Sequence, residues 1–361
     1  TVSAKTLWVK LIQNRVETGE PYIMFKDTVD EALPDFQRRK GLSVNQSNLC
    51  SEITLPTDEE RTAVCCLSSV NLEEYDEWKN DENFIPDLVC MLDNVLTHFI
   101  DNAPSQLSKA KYSAMRERSI GLGAMGFHAY LQRHNIPFES ALAKSKNLSM
   151  FRRIKGEACR ATENLAIERG ACPDDDRGRV RNAHLLAIAP NASSSIICGN
   201  TSPSIEPYRA NAFTQKTKSG SSLLKNEYLE AILQDVGEDN EEVWKSIITN
   251  NGSVQHLDFL DEWTKDVFKT AVEIDQRWVI EMAADRQEFI CQSQSLNVFF
   301  PSNVSKQELH ALHMMAWKRG VKTLYYLRSE AYKRAENISD EVLRQRIFES
   351  LDEEGCLACE G

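Results

Sequence analysis

Several things are missing from this chain of 361 residues. No run of about 20 apolar residues occurs; the most apolar stretch, residues 85–100, is broken by Asp87, Asp93, Asn94 and His98, which excludes a membrane-spanning helix there. An excess of basic charge is absent as well. Lys and Arg number 42 against 54 Asp and Glu, for a formal net charge of -12, so binding to nucleic acid or to an anionic membrane surface is not expected. The opening Thr1-Val2-Ser3-Ala4-Lys5-Thr6 has neither an initiator Met nor an apolar signal core. A polypeptide that is processed, trimmed or cut from something longer is the expectation. Ten cysteines show no disulfide-framework spacing and read as thiols of a reducing compartment. That compartment is expected to be the cytoplasm, a host cell's if the source is a virus or phage. A single C-x-x-C, with no second ligand pair, makes no zinc site, so no metal is expected.

With 42% hydrophobic and 27% charged residues, the composition is that of a globular protein able to bury a large core. Short β-like runs alternate with longer amphipathic stretches, the pattern of an α/β fold. Helices are expected over 4–18, 86–102, 145–169, 223–234, 264–288 and 306–319. Strands are expected over 63–72, 183–189, 295–300 and 321–327. Residues 1–336 read as one body. Residues 337–361 read as an acidic mobile tail ending in Cys356-Leu357-Ala358-Cys359.

Four constellations have chemical potential. In an extended segment, Asn48, Cys50 and Glu52 of Asn48-Leu49-Cys50-Ser51-Glu52 would share one face and bring an amide, a thiol and a carboxylate to one small molecule. A polar loop with one buried Cys is the plain alternative. In Ala63-Val64-Cys65-Cys66-Leu67, a strand points the two thiols to opposite sides, so only one lines a pocket with Cys50. Tyr325-Tyr326 places two phenols side by side; ordinary packing is the alternative, and stacking requires a distorted strand end. Cys356 and Cys359, too near the terminus to open a thioredoxin helix, suit a mobile dithiol or an inert tail.

Two further signals are weaker. Gly121-Leu122-Gly123-Ala124-Met125-Gly126 matches G-x-G-x-x-G by letter but follows a stretch that does not read as a strand; close packing competes with dinucleotide binding. Pro190-Asn191-Ala192-Ser193-Ser194-Ser195, at a strand-to-helix turn, suits a phosphate or a Ser-rich helix cap.

Together and in this order, these motifs resemble the class I ribonucleotide reductase large (alpha) subunit, over essentially the whole chain but only about the C-terminal half of that subunit. The wording of Asn48-Leu49-Cys50-Ser51-Glu52-Ile53 and Lys322-Thr323-Leu324-Tyr325-Tyr326 carries the likeness. The resemblance implies the C-terminal half of a ten-stranded α/β barrel with a finger loop near 48–52. It implies that Cys50 is the radical cysteine that takes the 3′-hydrogen of a ribonucleoside diphosphate. Glu52 is then the base at the 3′-hydroxyl, and Asn48 a hydrogen bond to substrate. Cys65 becomes one of two reducing cysteines, and Leu49 and Ser51 complete the substrate-facing loop. Pro190, Asn191, Ala192, Ser193 and Ser194 match the diphosphate loop, with Asn191 and Ala192 departing from commoner versions. Tyr325 and Tyr326 match the last relay of the radical path, and Cys356 and Cys359 the dithiol restored by thioredoxin or glutaredoxin. Cys66 has no role in this scheme beyond packing.

The resemblance also implies partners. No cofactor is expected on this chain; the metal or tyrosyl radical belongs to a small beta subunit. No cysteine precedes Cys50, so the partner of Cys65, together with the nucleotide effector sites, is expected on an N-terminal half. The expectation is a split-subunit half, inactive alone, with a truncated piece of an intact subunit as the alternative. A catalytically silent interaction half of the same fold and a dinucleotide-dependent oxidoreductase are the competing readings.

Overall fold

The computed structural model describes residues 2–217, 220–301 and 304–329. Eight strands occur there: β1 (Ile23–Met24), β2 (Cys66–Asn71), β3 (Ile120–Met125), β4 (Ala212–Thr217), β5 (Gly220–Lys225), β6 (Val298–Phe300), β7 (Thr323–Leu324) and β8 (Leu327–Ser329). β2 runs parallel to β3, with Cys66 opposite Ile120. Parallel bridges then join Leu122 to Leu186 and Ile188 to Gln294. β6 runs parallel to β8, and β1 closes antiparallel on β7. Parallel neighbours thus follow one another in chain order, each reached through helices, as α/β architecture requires.

Alternation along these strands sorts the two faces. Ile120, Leu122, Leu186, Ile188, Leu296 and Val298 enter the main core with the helices Phe84–Asn102, Ala141–Arg169, Gln276–Gln287 and Lys306–Lys318. Ala187 turns the other way and packs with Ile53 and Leu55 of the segment that carries Cys50. Helices therefore cover one face of the sheet, and the Cys50 loop lies on the other. A smaller core built on Leu229, Leu233, Trp244, Ile247 and Phe268 holds the β4–β5 hairpin and its helices.

Local chemistry explains where the expected elements hold and where they shift. The helix Ala4–Thr18 has the expected bounds because it is capped at both ends: Ser3 Oγ accepts the Thr6 N–H, and Gly19 closes it at φ 80°. The helix expected over 223–234 instead begins at Glu227, because Asn226 caps it by accepting the N–H groups of Tyr228 and Leu229; residues 223–225 belong to β5. The single helix expected over 264–288 is two, Glu262–Val267 and Gln276–Gln287, each opened by its own aspartate cap, Asp261 and Asp275.

The glycine run is itself strand β3, not a loop outside the sheet. A Cβ on Gly121 would lie 2.5 Å from Leu67 Cδ2 and 3.0 Å from Cys65 Sγ; one on Gly123 would lie 2.6 Å from the Ala187 carbonyl oxygen. Close packing accounts for these glycines, against side chains at Gly121 and against a neighbouring backbone at Gly123. The tail expected over 337–361, with Cys356 and Cys359, lies outside the described residues.

Candidate active site

The loop 43–57 is strung between two tethered arms. Thr57 N–H donates to Ser43 O (3.2 Å), and the Asn45 amide donates to Thr57 O (2.6 Å). Below them Asp174, fully buried, receives both guanidinium nitrogens of Arg61 at 2.7 and 3.0 Å, with Arg116 at 2.9 Å and Lys40 at 3.5 Å. Arg61, followed by these other cations, holds the Asp174 carboxyl below the ordinary range against the opposing pull of burial. Lys40 precedes the loop and Arg61 follows it, so one carboxylate pins both arms.

At the tip the chain reverses. Ser51 N–H donates to Asn48 O at 3.1 Å, and Ser51 takes φ 71°. The extended 48–52 segment expected above is therefore a turn, because a loop that enters and leaves on the same side must reverse at its end. The groups still converge, by a different route. Asn48 Oδ1 accepts the Ile53 N–H at 3.1 Å, and its side chain also hydrogen-bonds the Glu52 carboxylate. Ser295 Oγ lies 2.6 Å from Cys50 O and 3.0 Å from Glu52 Oε2, so one hydroxyl braces both residues. Burial pushes the Glu52 carboxyl up, opposed by its bonds to Asn48 and Ser295. Such a carboxyl is suited to exchanging a proton with a bound hydroxyl. Leu49 points outward, and Ser51 is buried.

Tyr325 Oη donates to Cys50 Sγ at 3.7 Å. β7 ends at Leu324 and β8 starts at Leu327, so the strand expected over 321–327 breaks at the two tyrosines, the distortion that stacking requires. Tyr325 N–H donates to Leu296 O and Tyr326 N–H to Asn297 Oδ1, which fixes the break. The rings lie 4.4 Å apart between centroids. Tyr22 completes a cluster, 4.6 Å from the Tyr325 ring and 4.9 Å from Tyr326, and its hydroxyl donates to Glu20 at 3.1 Å. Arg328 covers the Tyr326 ring at 3.9 Å. Burial, then the bond to Cys50, pushes the Tyr325 phenol up, so it stays protonated. A thiol, a phenol and a second phenol in line form a path along which a hydrogen atom can move without a lasting charge.

Cys65 lies on the loop side with Ile53, Leu55 and Ala187, while Cys66 packs toward the main core, as strand alternation demands. Gln292 Nε2 donates to Cys65 Sγ at 3.5 Å. Burial pushes the Cys65 thiol up. Among the described residues no cysteine is joined in a disulfide.

Pro190 and Asn191 lead into the short helix Ala192–Ile197, beyond the carboxyl end of segment 185–188, where α/β sheets place ligands. Asn191 takes φ 51°, and its Oδ1 accepts from Ser69 Oγ at 3.2 Å, tying the turn to the end of β2. Ala192 and Ser193 are exposed and Ser194 half-buried, leaving this turn open to solvent.

Sequence reasoning passed over Tyr22, Gln292, Ser295 and Asn297. The run Gln292-Ser293-Gln294-Ser295 is wholly buried, and so polar a run beside Val298-Phe299-Phe300 was the available signal. Tyr22 had none, since it joins its partners only through the β1–β7 pairing. Among the described residues no group of His, Cys, Asp and Glu could hold a metal ion, and no helix is long and apolar enough to cross a membrane.

This chain is similar to known proteins. A relative from Frog virus 3 (isolate Goorha) is 49% identical over 364 residues, covering 100% of this chain and 63% of its own. The ribonucleoside-diphosphate reductase large subunit of Invertebrate iridescent virus 3 is 47% identical over 364 residues, 100% of this chain and 57% of that one. The Actinobacillus ureae class Id ribonucleotide reductase alpha subunit superposes with a TM-score of 0.85 at 41% identity, over 90% of this chain and 61% of that one. The chain thus spans less than two thirds of the length of these relatives. The family model described as ribonucleotide reductase, barrel domain, matches residues 1–178 and 175–327. Carrying that match along almost all of its described length, the chain belongs to the ribonucleotide reductase barrel-domain family.

Proposed function

We propose that this chain forms part of the alpha subunit of a class I ribonucleoside-diphosphate reductase, which converts ribonucleoside diphosphates to 2′-deoxyribonucleoside diphosphates for DNA synthesis. The observation that carries the reading is the line from Tyr326 through Tyr325 to Cys50 Sγ, ending beside the buried Glu52 carboxyl. In this scheme Tyr325, as a transient phenoxyl, takes the hydrogen atom of the Cys50 thiol, and the resulting sulfur radical takes the 3′-hydrogen of the substrate. Glu52 removes the 3′-hydroxyl proton, and Asn48 orients the group through its amide. The 2′-hydroxyl leaves as water, and Cys65 with a second cysteine supplies two electrons as they join in a disulfide. Burial keeps Cys65 a thiol until then, which suits a hydrogen donor better than a thiolate. The turn from Pro190 to Ser194 holds the diphosphate through backbone N–H groups and hydroxyls, Ala192 contributing backbone alone.

The remaining parts are partners. The metal or tyrosyl radical resides in a small beta subunit that meets the Tyr326 end of the path. An N-terminal half of the alpha subunit brings the second reducing cysteine and the effector sites, and the share of its relatives that this chain spans is in keeping with that division. Cys356 and Cys359 reduce the active-site disulfide and are restored by thioredoxin or glutaredoxin.

The test is CDP reduction by the chain assembled with the N-terminal half and the beta subunit. Tyr326→Phe and Cys50→Ser should each abolish product while leaving nucleotide binding unchanged. Deoxynucleotide formed by either variant would overturn the proposal, and undiminished activity in Cys50→Ser alone would favour a catalytically silent half.

A further inference from the structure

Cys291 stands apart from every other described cysteine. It opens the segment that runs through Gln292 to Ser295, but on the face away from Cys65 and the Cys50 loop. Two backbone donors converge on its sulfur, the N–H of Leu185 at 3.1 Å and that of Leu186 at 3.2 Å. His184 is wholly buried beside it, its Nε2 engaged by Gln37 at 2.9 Å and its side chain also hydrogen-bonding the sulfur. Lys322, also buried, reaches the carbonyls of Ile290, Cys291 and Gln292 at 3.0, 2.6 and 2.7 Å. Converging N–H groups with neighbouring cations form a cradle for an anion.

This cradle opens on a cavity of about 560 Å³, lined among others by Lys155, Cys291, Arg319 and Lys322, with Glu288 as its carboxylate. Arg319 is partly neutralised by Glu281 and by Asp285 at 3.8 Å. Lys155 and Lys322, which both interact electrostatically with the sulfur, are left as the cavity's other cations. Burial alone would push this thiol up. Lys155, His184 and the Leu186 N–H outweigh it and hold Cys291 well below the ordinary thiol range. Neighbouring Cys159 goes the other way, pushed up by burial, and stays a thiol.

We propose that Cys291 is a reactive thiolate site that undergoes thiol–disulfide exchange with a small anionic disulfide of the glutathione type. The Cys291 sulfur attacks one sulfur of the reagent, and a Cys291–sulfur bond forms as the reagent's disulfide bond breaks. The electron pair leaves on the second sulfur, which departs as a thiolate and is protonated by water; Cys291 is oxidised and the leaving sulfur reduced. The reagent's carboxylates meet the cationic wall, and no group of the proposed nucleotide site takes part.

The experiment exposes the intact chain to oxidised glutathione at about pH 6, where an ordinary thiol of pKa ~8.5 is largely protonated, and quantifies adducts peptide by peptide. Cys291 should be modified at least about threefold faster than the exposed Cys198, since a roughly tenfold gain in thiolate is partly offset by the lower intrinsic nucleophilicity of a more acidic thiolate. At about pH 9 that margin should shrink as other thiols ionise. Lys155→Gln should slow modification at about pH 6 and restore the rate at about pH 9. A Cys198 adduct that forms first at the lower pH, or an unmodified Cys291, would overturn the proposal. The wild-type pH profile serves as the readout even if Lys155→Gln folds poorly. A neutral disulfide reacting as fast as oxidised glutathione would also overturn it.

Discussion

Glu206 shows how much can rest on one buried carboxyl. It is 2% exposed, accepts a hydrogen bond from the Asn297 amide, and has Arg209 and Arg328 nearby. Burial outweighs those favourable neighbours and pushes it up to about 7 from an ordinary 4.5. Between those two values the folded chain keeps a proton that the unfolded chain releases, so stability must fall as pH rises through that window. Glu206→Gln should remove the slope, which is at most about 3 kcal/mol at 1.36 kcal/mol per pKa unit. Urea unfolding on either side of the window checks this; equal slopes in both proteins would refute it. The same amide that touches Glu206 accepts the Tyr326 N–H, so the titrating carboxyl is one residue removed from the tyrosine path. At this scale the sequence was legible where chemistry clusters locally, as in Asn48, Cys50 and Glu52. It was silent on Glu206, Ser295 and Tyr22, whose partners lie far along the chain.

Elements were legible where their ends carry their own signals. Ser3 and Gly19 bound the first helix, whereas the tyrosine break in the last strand and the split of the 264–288 helix depend on bonds made elsewhere or on caps hidden within a continuous pattern. For the glycines of β3 the close-packing reading holds, with the strands beside them rather than a helix as the neighbour. Gly123→Ala would press a methyl group against Ser69 Oγ and the Ala187 carbonyl, and the carbonyl cannot retreat without parting the strands. A loss of about 1–3 kcal/mol is expected from such overpacking. Gly156, within the Ala141–Arg169 helix, has only Arg160 Nη1 nearby, at 3.7 Å. There the same substitution should gain about 0.5–1 kcal/mol from helix propensity. Denaturant titration of the two variants gives opposite signs if strand contact, rather than glycine content, sets the cost.

Across the whole molecule, the α/β class follows from the alternation of short β-like runs with longer amphipathic stretches that the sequence displays. The meeting of the two ends does not. β1 pairs with β7, Gly19 O accepts the Leu327 N–H, and buried Arg15 donates to the Tyr325 carbonyl at 3.0 Å. The phenol cluster is therefore sewn from residues some 300 positions apart, whereas β2 and β3 are linked by the helical crossover of residues 72–119. Loop closure over so long a contour is entropically dear, and a two-residue pairing returns little for it. Warming should loosen this seam first: amide exchange at Leu324 and Leu327 should rise while Leu122 and Ala124 remain protected. A protein built this way would part its phenol cluster from Cys50 before it melts, while the scaffold around them still stands.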